Sequence, residues 1–399
     1  MSITTRKTAV PKGFLFSTVE AAVKKPGRKD LALIYSEREA AMAGMFTTNS
    51  VKAAPVRLDM KLIKKGRGRA VIINSGNANA CTGAQGMKDA VEMGRIVAGQ
   101  RGIKSESVYV CSTGVIGTPM PMERIRPQIG FLAEGLGTAA FDDVAAAIMT
   151  TDTFPKIVSK RKNVGGKMIT ITGICKGAGM IQPSMATMLS FVITDAAIGQ
   201  KALDAALRQA VGRSFNRITI DGDMSTNDTV LIMANGAVGN DEIKIKSREY
   251  GIFTGALTEL AYELSEMIVR DGEGATKLVE VEVRNARSEK EAEEGAFTVA
   301  NSLLVKTAIY GNDANWGRLM AALGYSGIKL KEEKTDIYLN GLLVAKNGLA
   351  TGVDKEANER LMGKKVVIVI DLHMGKGCAK VLTCDLTEDY VKINAEYRT

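Results

Sequence analysis

The chain has 399 residues, 45% of them hydrophobic, with a mean hydropathy of +0.01. That is enough to bury a core and to fill more than one domain. No apolar run approaches the ~20 residues of a membrane-spanning helix, and the first ten residues are polar and basic with no apolar signal core, so no membrane insertion and a cytoplasmic location are expected. The formal charge is +9, from 53 Lys and Arg against 44 Asp and Glu. The densest basic stretch, residues 61–69 (KLIKKGRGR), carries no aromatic residue. A nucleic-acid partner is therefore not expected, and steering of small anionic substrates stays open.

Strand-like and helix-like runs alternate along the chain, which predicts a mixed α and β protein. No repeat or low-complexity linker interrupts them. Residues 30–36 (DLALIYS) and 69–73 (RAVII) read as strands, and 74–86 (NSGNANACTGAQG) reads as a loop. Residues 108–111 (VYVC) form another strand that runs into Ser112-Thr113-Gly114-Val115-Ile116-Gly117. A short helix over 142–149 precedes the polar Thr150-Thr151-Asp152-Thr153, and 167–172 (KMITIT) alternates as a half-buried strand does. Residues 187–195 (TMLSFVITD) read as a strand. Residues 201–211 read as a helix with Leu203, Ala206, Leu207 and Ala210 on one face. Leu257, Leu260, Leu264 and Ile268 repeat at helical spacing before Asp271-Gly272-Glu273-Gly274. Asn340-Gly341 between 336–339 and 342–345 is a strong hairpin signal. Residues 365–372 and 379–386 read as a second hairpin. The chain thus has two halves of similar weight, joined near the glycine-rich stretch 176–187.

The residue counts limit the chemistry. His373 is the only histidine, so a His-rich metal site is impossible and any Ser-His-Asp or Cys-His mechanism has to pass through it. At the end of a strand it reads more readily as structural. Cys81, Cys111, Cys175, Cys378 and Cys384 are scattered without a C-x-x-C pair, which excludes a zinc ribbon and a disulfide framework. No metal is expected. The glycine-rich loops match neither phosphate-binding fingerprint and read as turns. The run Asp221-Gly222-Asp223-Met224-Ser225-Thr226-Asn227-Asp228-Thr229 is rich in oxygens, but no Glu follows at calcium-loop spacing. It reads as a hydrogen-bonded turn that braces a site.

One mechanism needs no histidine. If the Ala186–Thr187 bond is cut, Thr187 becomes an N-terminus, its hydroxyl a nucleophile and its α-amine the general base. A free α-amine titrates near 8, close enough to neutrality to accept a proton. The small Ala186 lets the hydroxyl approach the preceding carbonyl. Locally, a threonine opening a strand is ordinary, and both readings of Thr187 stand at this point.

The ordered motifs favour the first reading. Lys176-Gly177-Ala178-Gly179-Met180-Ile181 followed by Met185-Ala186-Thr187-Met188-Leu189 resembles the ornithine acetyltransferase family, the glutamate N-acetyltransferases of arginine biosynthesis, several of which are bifunctional. The resemblance runs the length of the chain, through Asn74–Ala80, Cys111–Gly117, Thr150–Thr153, Asp221-Gly222-Asp223, Ser225–Thr229, Asp271–Lys277, Asn315–Arg318 and the final Tyr397-Arg398-Thr399. Ala314 stands where many relatives have proline.

The resemblance implies an α+β fold of layered sheets and helices, like an N-terminal-nucleophile sandwich with different connectivity. It implies self-cleavage between Ala186 and Thr187 into an α chain, 1–186, and a β chain, 187–399, assembled as α2β2. Thr187 would carry the acetyl group, with Thr113 and the Gly114 N–H as oxyanion hole. Thr150, Lys176, Thr187, Glu273, Asn394 and Thr399 would contact substrate. The donor would be N2-acetyl-L-ornithine and the acceptor L-glutamate. Acetyl-CoA would be a co-substrate only in a bifunctional member, and no resident cofactor is implied. Two rival readings are a self-cleaving N-terminal-nucleophile amidohydrolase or aminopeptidase, and a basic module that binds anionic ligands or nucleic acid.

Overall fold

The computed structural model describes residues 8–182 and 188–396. They form two compact units that do not follow chain order. One is built from 8–177, 188–216 and 224–268, and the other from 178–182, 217–223 and 269–396. The chain mixes α and β elements, as their alternation in the sequence predicts, and the fold is α+β with helices layered on sheets, as the resemblance implies.

The first unit holds eight strands among the described residues: β1 (Phe14–Val19), β2 (Leu31–Phe46), β3 (Arg67–Asn77), β4 (Val108–Val115), β5 (Lys156–Val164), β6 (Lys167–Lys176), β7 (Leu189–Thr194) and β8 (Thr229–Ala234). Their order is β4-β3-β2-β8-β7-β6-β5, with β1 paired to β2. The β3–β4 and β7–β8 pairs are parallel and the rest antiparallel. Successive side chains of a strand point to opposite faces. Leu31, Leu33, Ile72 and Val110 accordingly meet Met93 and Val97 of the helix Gly83–Arg101 and Ile125 and Ile129 of the helix Met122–Glu134. Ala32, Ile34, Val71 and Ile73 face the other way, onto Phe141 and Val144 of the helix Phe141–Ala147. Covered faces explain why these strands read as nearly unbroken apolar runs.

Strand β2 is far longer than the seven residues expected. The charged Glu37-Arg38-Glu39 is an exposed irregularity inside the strand, where the register against β3 shifts between Tyr35 and Ala40. Beyond it β2 continues along β8. The stretch expected to be a loop over 74–86 is strand to Asn77 and helix from Gly83.

The second unit holds β9 (Leu278–Ala286), β10 (Asp336–Leu339), β11 (Leu342–Lys346), β12 (Leu349–Ala350), β13 (Lys365–Asp371) and β14 (Gly377–Cys384), ordered β12-β11-β10-β13-β9-β14. The Asn340-Gly341 hairpin joins β10 to β11, with φ positive at both turn residues, as that two-residue turn demands. The second expected hairpin does not form. β9 lies between β13 and β14, parallel to the first and antiparallel to the second. The link crosses the end of β9 instead of folding back, and the Met374 and Gly375 amides both donate to the Asn285 carbonyl, at 2.7 and 2.8 Å. Gly375 permits this approach, since a Cβ there would sit 2.5 Å from the Ala286 oxygen.

Ile368, on the inner strand β13, is fully buried in this unit's core. Ile368→Ala should lower unfolding stability by about 2–5 kcal/mol, read as a shift of the urea midpoint. A loss below about 1 kcal/mol would contradict this packing.

Candidate active site

The C-terminal end of β4 presents Thr113 and Gly114. Gly114 lies opposite Gly76 of β3, with φ +136. A Cβ at this position would fall onto the Gly76 carbonyl carbon, so only glycine fits. Thr113 is buried, and behind it the Ser112 hydroxyl bonds to Asn74 Oδ1 at 2.6 Å. The buried Asp59 takes the Val110 N–H at 3.1 Å and lies 3.7 Å from Cys111 Sγ. Burial, together with the Asp59 charge, pushes the Cys111 thiol well up. That suits a structural cysteine and not a nucleophile.

A second cluster gathers around Asp152. The Thr150 N–H donates to Asp152 Oδ2 at 3.0 Å. Lys156 Nζ and the Gly177 N–H reach Oδ1 at 2.7 and 2.6 Å. Both side chains of the Asp152–Lys156 pair are fully buried. Burial alone would raise the carboxyl, but the Lys176 and Lys156 ammoniums and the Gly177 amide hold it at about 2. Lys176, the buried last residue of β6, thus has an anionic neighbour that keeps its charge at any pH near neutrality.

The third element is the stretch that enters β8. Asn227 Nδ2 donates to the Ala78 carbonyl at 2.6 Å and to the Ser112 carbonyl at 2.8 Å. The next residue, Asp228, accepts the Met188 N–H on Oδ1 at 3.0 Å. Met188 O in turn accepts the Thr229 N–H at 3.1 Å. Two consecutive side chains therefore hold the residue before Thr113 and the residue after Thr187. Burial pushes the Asp228 carboxyl well above the usual range, against the Met188 amide and the Lys176 charge.

The second unit supplies a separate group. Glu273 follows the helix Arg248–Arg270, and its N–H donates to the Ala178 carbonyl at 2.8 Å. Its Oε2 accepts from Asn394 Nδ2 at 2.8 Å. The Glu273 carboxylate packs against Gly179, where a Cβ would displace it. Asp221 accepts the Met180 and Ile181 amides at 2.6 and 2.9 Å, and the Tyr390 hydroxyl stands 3.3 Å from its Oδ2. Burial and the charges of Asp221 and Glu273 push that phenol up.

The first unit thus brings Thr113 and Gly114 onto one strand end, and Thr150 and Lys176 around one carboxylate. The second brings Glu273 to Asn394. Ala186, Thr187 and Thr399 lie outside the described residues. His373 sits between Asp336 and Asp371, at 3.1 and 3.5 Å. Among the described residues no three His, Cys, Asp or Glu side chains could hold a metal ion, and no helix is long and apolar enough to cross a membrane. Sequence reasoning gives no role to Asp152 or Lys156, and it places Asn227 and Asp228 only as part of a hydrogen-bonded turn that braces a site. Asp152, a lone acidic residue in a run of threonines, was the signal available for the first pair. The run 221–229 does form hydrogen-bonded turns, but it divides between the two units.

The ArgJ family profile matches residues 15–399. The chain belongs to the ArgJ family. It is 55% identical over 390 residues to the arginine biosynthesis bifunctional protein ArgJ of Geobacter sulfurreducens, covering 97% of this chain and 99% of that one. It is 51% identical over 404 residues to the protein of the same name from Caldanaerobacter subterraneus subsp. tengcongensis, covering 100% of both. A crystal structure of arginine biosynthesis bifunctional protein argJ from Bacillus halodurans aligns with a TM-score of 0.51 at 46% identity, over 52% of this chain and 99% of that chain. Membership makes the protein an enzyme, an acyltransferase of arginine biosynthesis.

The Asp152 cluster predicts a pH dependence. Its folded pKa, about 2, lies below the unfolded 3.8. The pair's contribution is therefore complete above pH ~4 and lost as pH falls toward 2. The stability gap between wild type and Asp152→Asn should stay level from pH 7 to about 4.5, then narrow by about 2 kcal/mol on further acidification. A gap independent of pH would refute the assignment.

Proposed function

We propose that this acyltransferase moves the acetyl group from N2-acetyl-L-ornithine to L-glutamate through an acetyl ester on Thr187. The observation that carries the reading is the double attachment at Asn227 and Asp228, which ties the Thr113–Gly114 strand end and the chain just after Thr187 to adjacent residues. A nucleophile and an oxyanion hole must be held in such fixed relation for acyl transfer.

Cleavage of the Ala186–Thr187 bond comes first, since an amide nitrogen cannot serve as a base. It would divide the chain into 1–186 and 187–399. The Bacillus halodurans structure supports this, because nearly the whole of its aligned chain corresponds to only about half of this one. The freed α-amine has a reference pKa of about 8, and the Lys176 ammonium would hold it lower, toward neutrality.

In the forward half-reaction the Thr187 hydroxyl attacks the acetyl carbonyl while its own amine takes the proton. The oxyanion is stabilised by the Thr113 hydroxyl and the Gly114 N–H. Collapse releases ornithine, whose amine takes the proton back. Glutamate enters, its amine attacks the ester, and the α-amine of Thr187 again mediates proton transfer. The two substrates share an α-carboxylate and differ in side-chain charge. Lys176 suits a carboxylate, and Glu273 with Asn394 suits an ammonium. Thr150 and Thr399 complete the substrate contacts in this reading. The bifunctional relatives favour a second activity, with acetyl-CoA as donor for N-acetylglutamate formation. Assembly as α2β2 in the cytoplasm belongs to the same proposal.

Denaturing mass measurement should show two fragments for wild type, dividing after residue 186, and one intact chain for Thr187→Ala. A wild type that is uncleaved yet fully active would overturn the mechanism. Thr113→Ala, in cleaved protein, should reduce kcat by about 10²–10³. A change below tenfold would remove Thr113 from the oxyanion hole.

A further inference from the structure

The link between β1 and β2, residues 20–30, is built onto the end of β3. Asp30 is buried, and its carboxylate folds the link back on itself by taking the Ala21 and Val23 amides at 2.7 and 2.6 Å. The Asp30 carbonyl accepts the Ser75 N–H at 2.9 Å. Lys24 packs on Gly76, where a Cβ would stand 3.1 Å from the Lys24 nitrogen. Ser75 and Gly76 are the β3 residues opposite Thr113 and Gly114.

Arg28 crosses from this link to a third segment. It is half-buried. One nitrogen of its guanidinium, Nη2, donates to Ser75 Oγ at 3.0 Å and to the Met149 carbonyl, with the Ala147 carbonyl 3.5 Å away. The Ser75 hydroxyl in turn donates to the Ala147 carbonyl at 2.7 Å. Ala147 ends the helix Phe141–Ala147, and Met149 precedes Thr150. Carbonyls at a helix end lack intrahelical partners, and a cation suits them. Capping alone would need no contact with β3. Here the same nitrogen also holds the hydroxyl beside Gly76. A planar guanidinium donates in fixed directions, so a shared donor of this kind fixes the spacing of the two segments it joins.

We propose that Arg28 is a positioning residue for acyl transfer: its guanidinium sets the spacing between the oxyanion hole at Thr113 and Gly114, reached through Ser75, and the substrate contact at Thr150, reached through Met149. This rests on the acetyl transfer proposed above. In that reaction the acetyl oxygen lies at Thr113 and Gly114 while another part of the donor meets Thr150. The carbonyl meets its hydrogen-bond donors only if the two contacts stand at a fixed separation. A displacement of about 1 Å can cost about 10² in rate.

The test is a double-mutant cycle in kcat for glutamate-dependent acetyl transfer from N2-acetylornithine. Arg28→Gln keeps a polar side chain and removes the charged fork. Ser75→Ala cuts the link at its other end and leaves Arg28 on the Met149 carbonyl. Each should lower kcat by about tenfold or more at a temperature where circular dichroism shows the variant folded. The double variant should lose little more than the worse single one, because both changes break one link. Ser75→Ala carries the kcat readout alone if Arg28→Gln is not recovered folded. A kcat within about twofold of wild type in folded variants, with only the unfolding temperature lowered, would make Arg28 a helix cap and overturn the proposal. Losses that multiply in the double variant, or a rise in KM with kcat unchanged, would overturn it too. Wild type assayed alongside separates the two ideas. A wild type without transfer defeats the acetyl-transfer reading, whereas an active wild type with equally active variants defeats only the role of Arg28.

Discussion

The first unit depends on two adjacent side chains at the entrance to β8. Asn227 binds the Ser112 carbonyl on β4, and Asp228 binds the Met188 amide at the entrance to β7. These strands are remote in the sheet order, with β3, β2 and β8 between them. Backbone pairing alone would not relate their ends. The reach comes from the length of β2, whose first half carries β3 and whose second half carries β8. A polar turn placed at that junction can touch both partners. The buried amides and carbonyls it satisfies would otherwise be left without partners in a dry region, so the turn is both a brace and a condition of burial.

A second constraint is electrostatic. Lys156 and Lys176 are both buried around a single carboxylate, Asp152. Asp152 accepts from Lys156 and lies within the field of Lys176, so both buried ammoniums stand beside a carboxylate that keeps its charge near neutrality. The chain's overall charge of +9 says little about substrate by itself. Positive charge that is buried, fixed and beside a site residue says more, because screening by salt is weak there.

The legibility of the sequence followed the range of the interactions. Helices with a clear apolar stripe were readable, as with Leu257, Leu260, Leu264 and Ile268 in the helix Arg248–Arg270. So was the Asn340-Gly341 turn, whose geometry is set by two residues. The β13–β14 hairpin was misread because its strands are separated by β9, and parallel pairing leaves no local mark. The full extent of β2 was hidden by Glu37-Arg38-Glu39, charged residues that a strand tolerates at a bulge. In the site, the motif residues Thr113, Gly114, Lys176 and Glu273 were named through family resemblance. The individual contacts of their supports were not. The sequence gives Asp152 no role and Asp228 only a place in a bracing turn, and only folding shows each of them buried and fixed to a particular backbone amide.

The shortage of histidine becomes a statement about mechanism. His373 lies between two carboxylates in the second unit, and no step requires it. An enzyme whose base is the α-amine of its own nucleophile can hold an acyl group before the acceptor arrives. The most direct measurement of that claim is incubation of the cleaved enzyme with N2-acetylornithine alone. Ornithine release and acetylation are followed on the N-terminal peptide of the 187–399 chain. The account predicts ornithine released in an amount equal to the sites, with one acetyl group on Thr187 that glutamate then removes. Ornithine released only when glutamate is present, with no acetylated peptide, would contradict it.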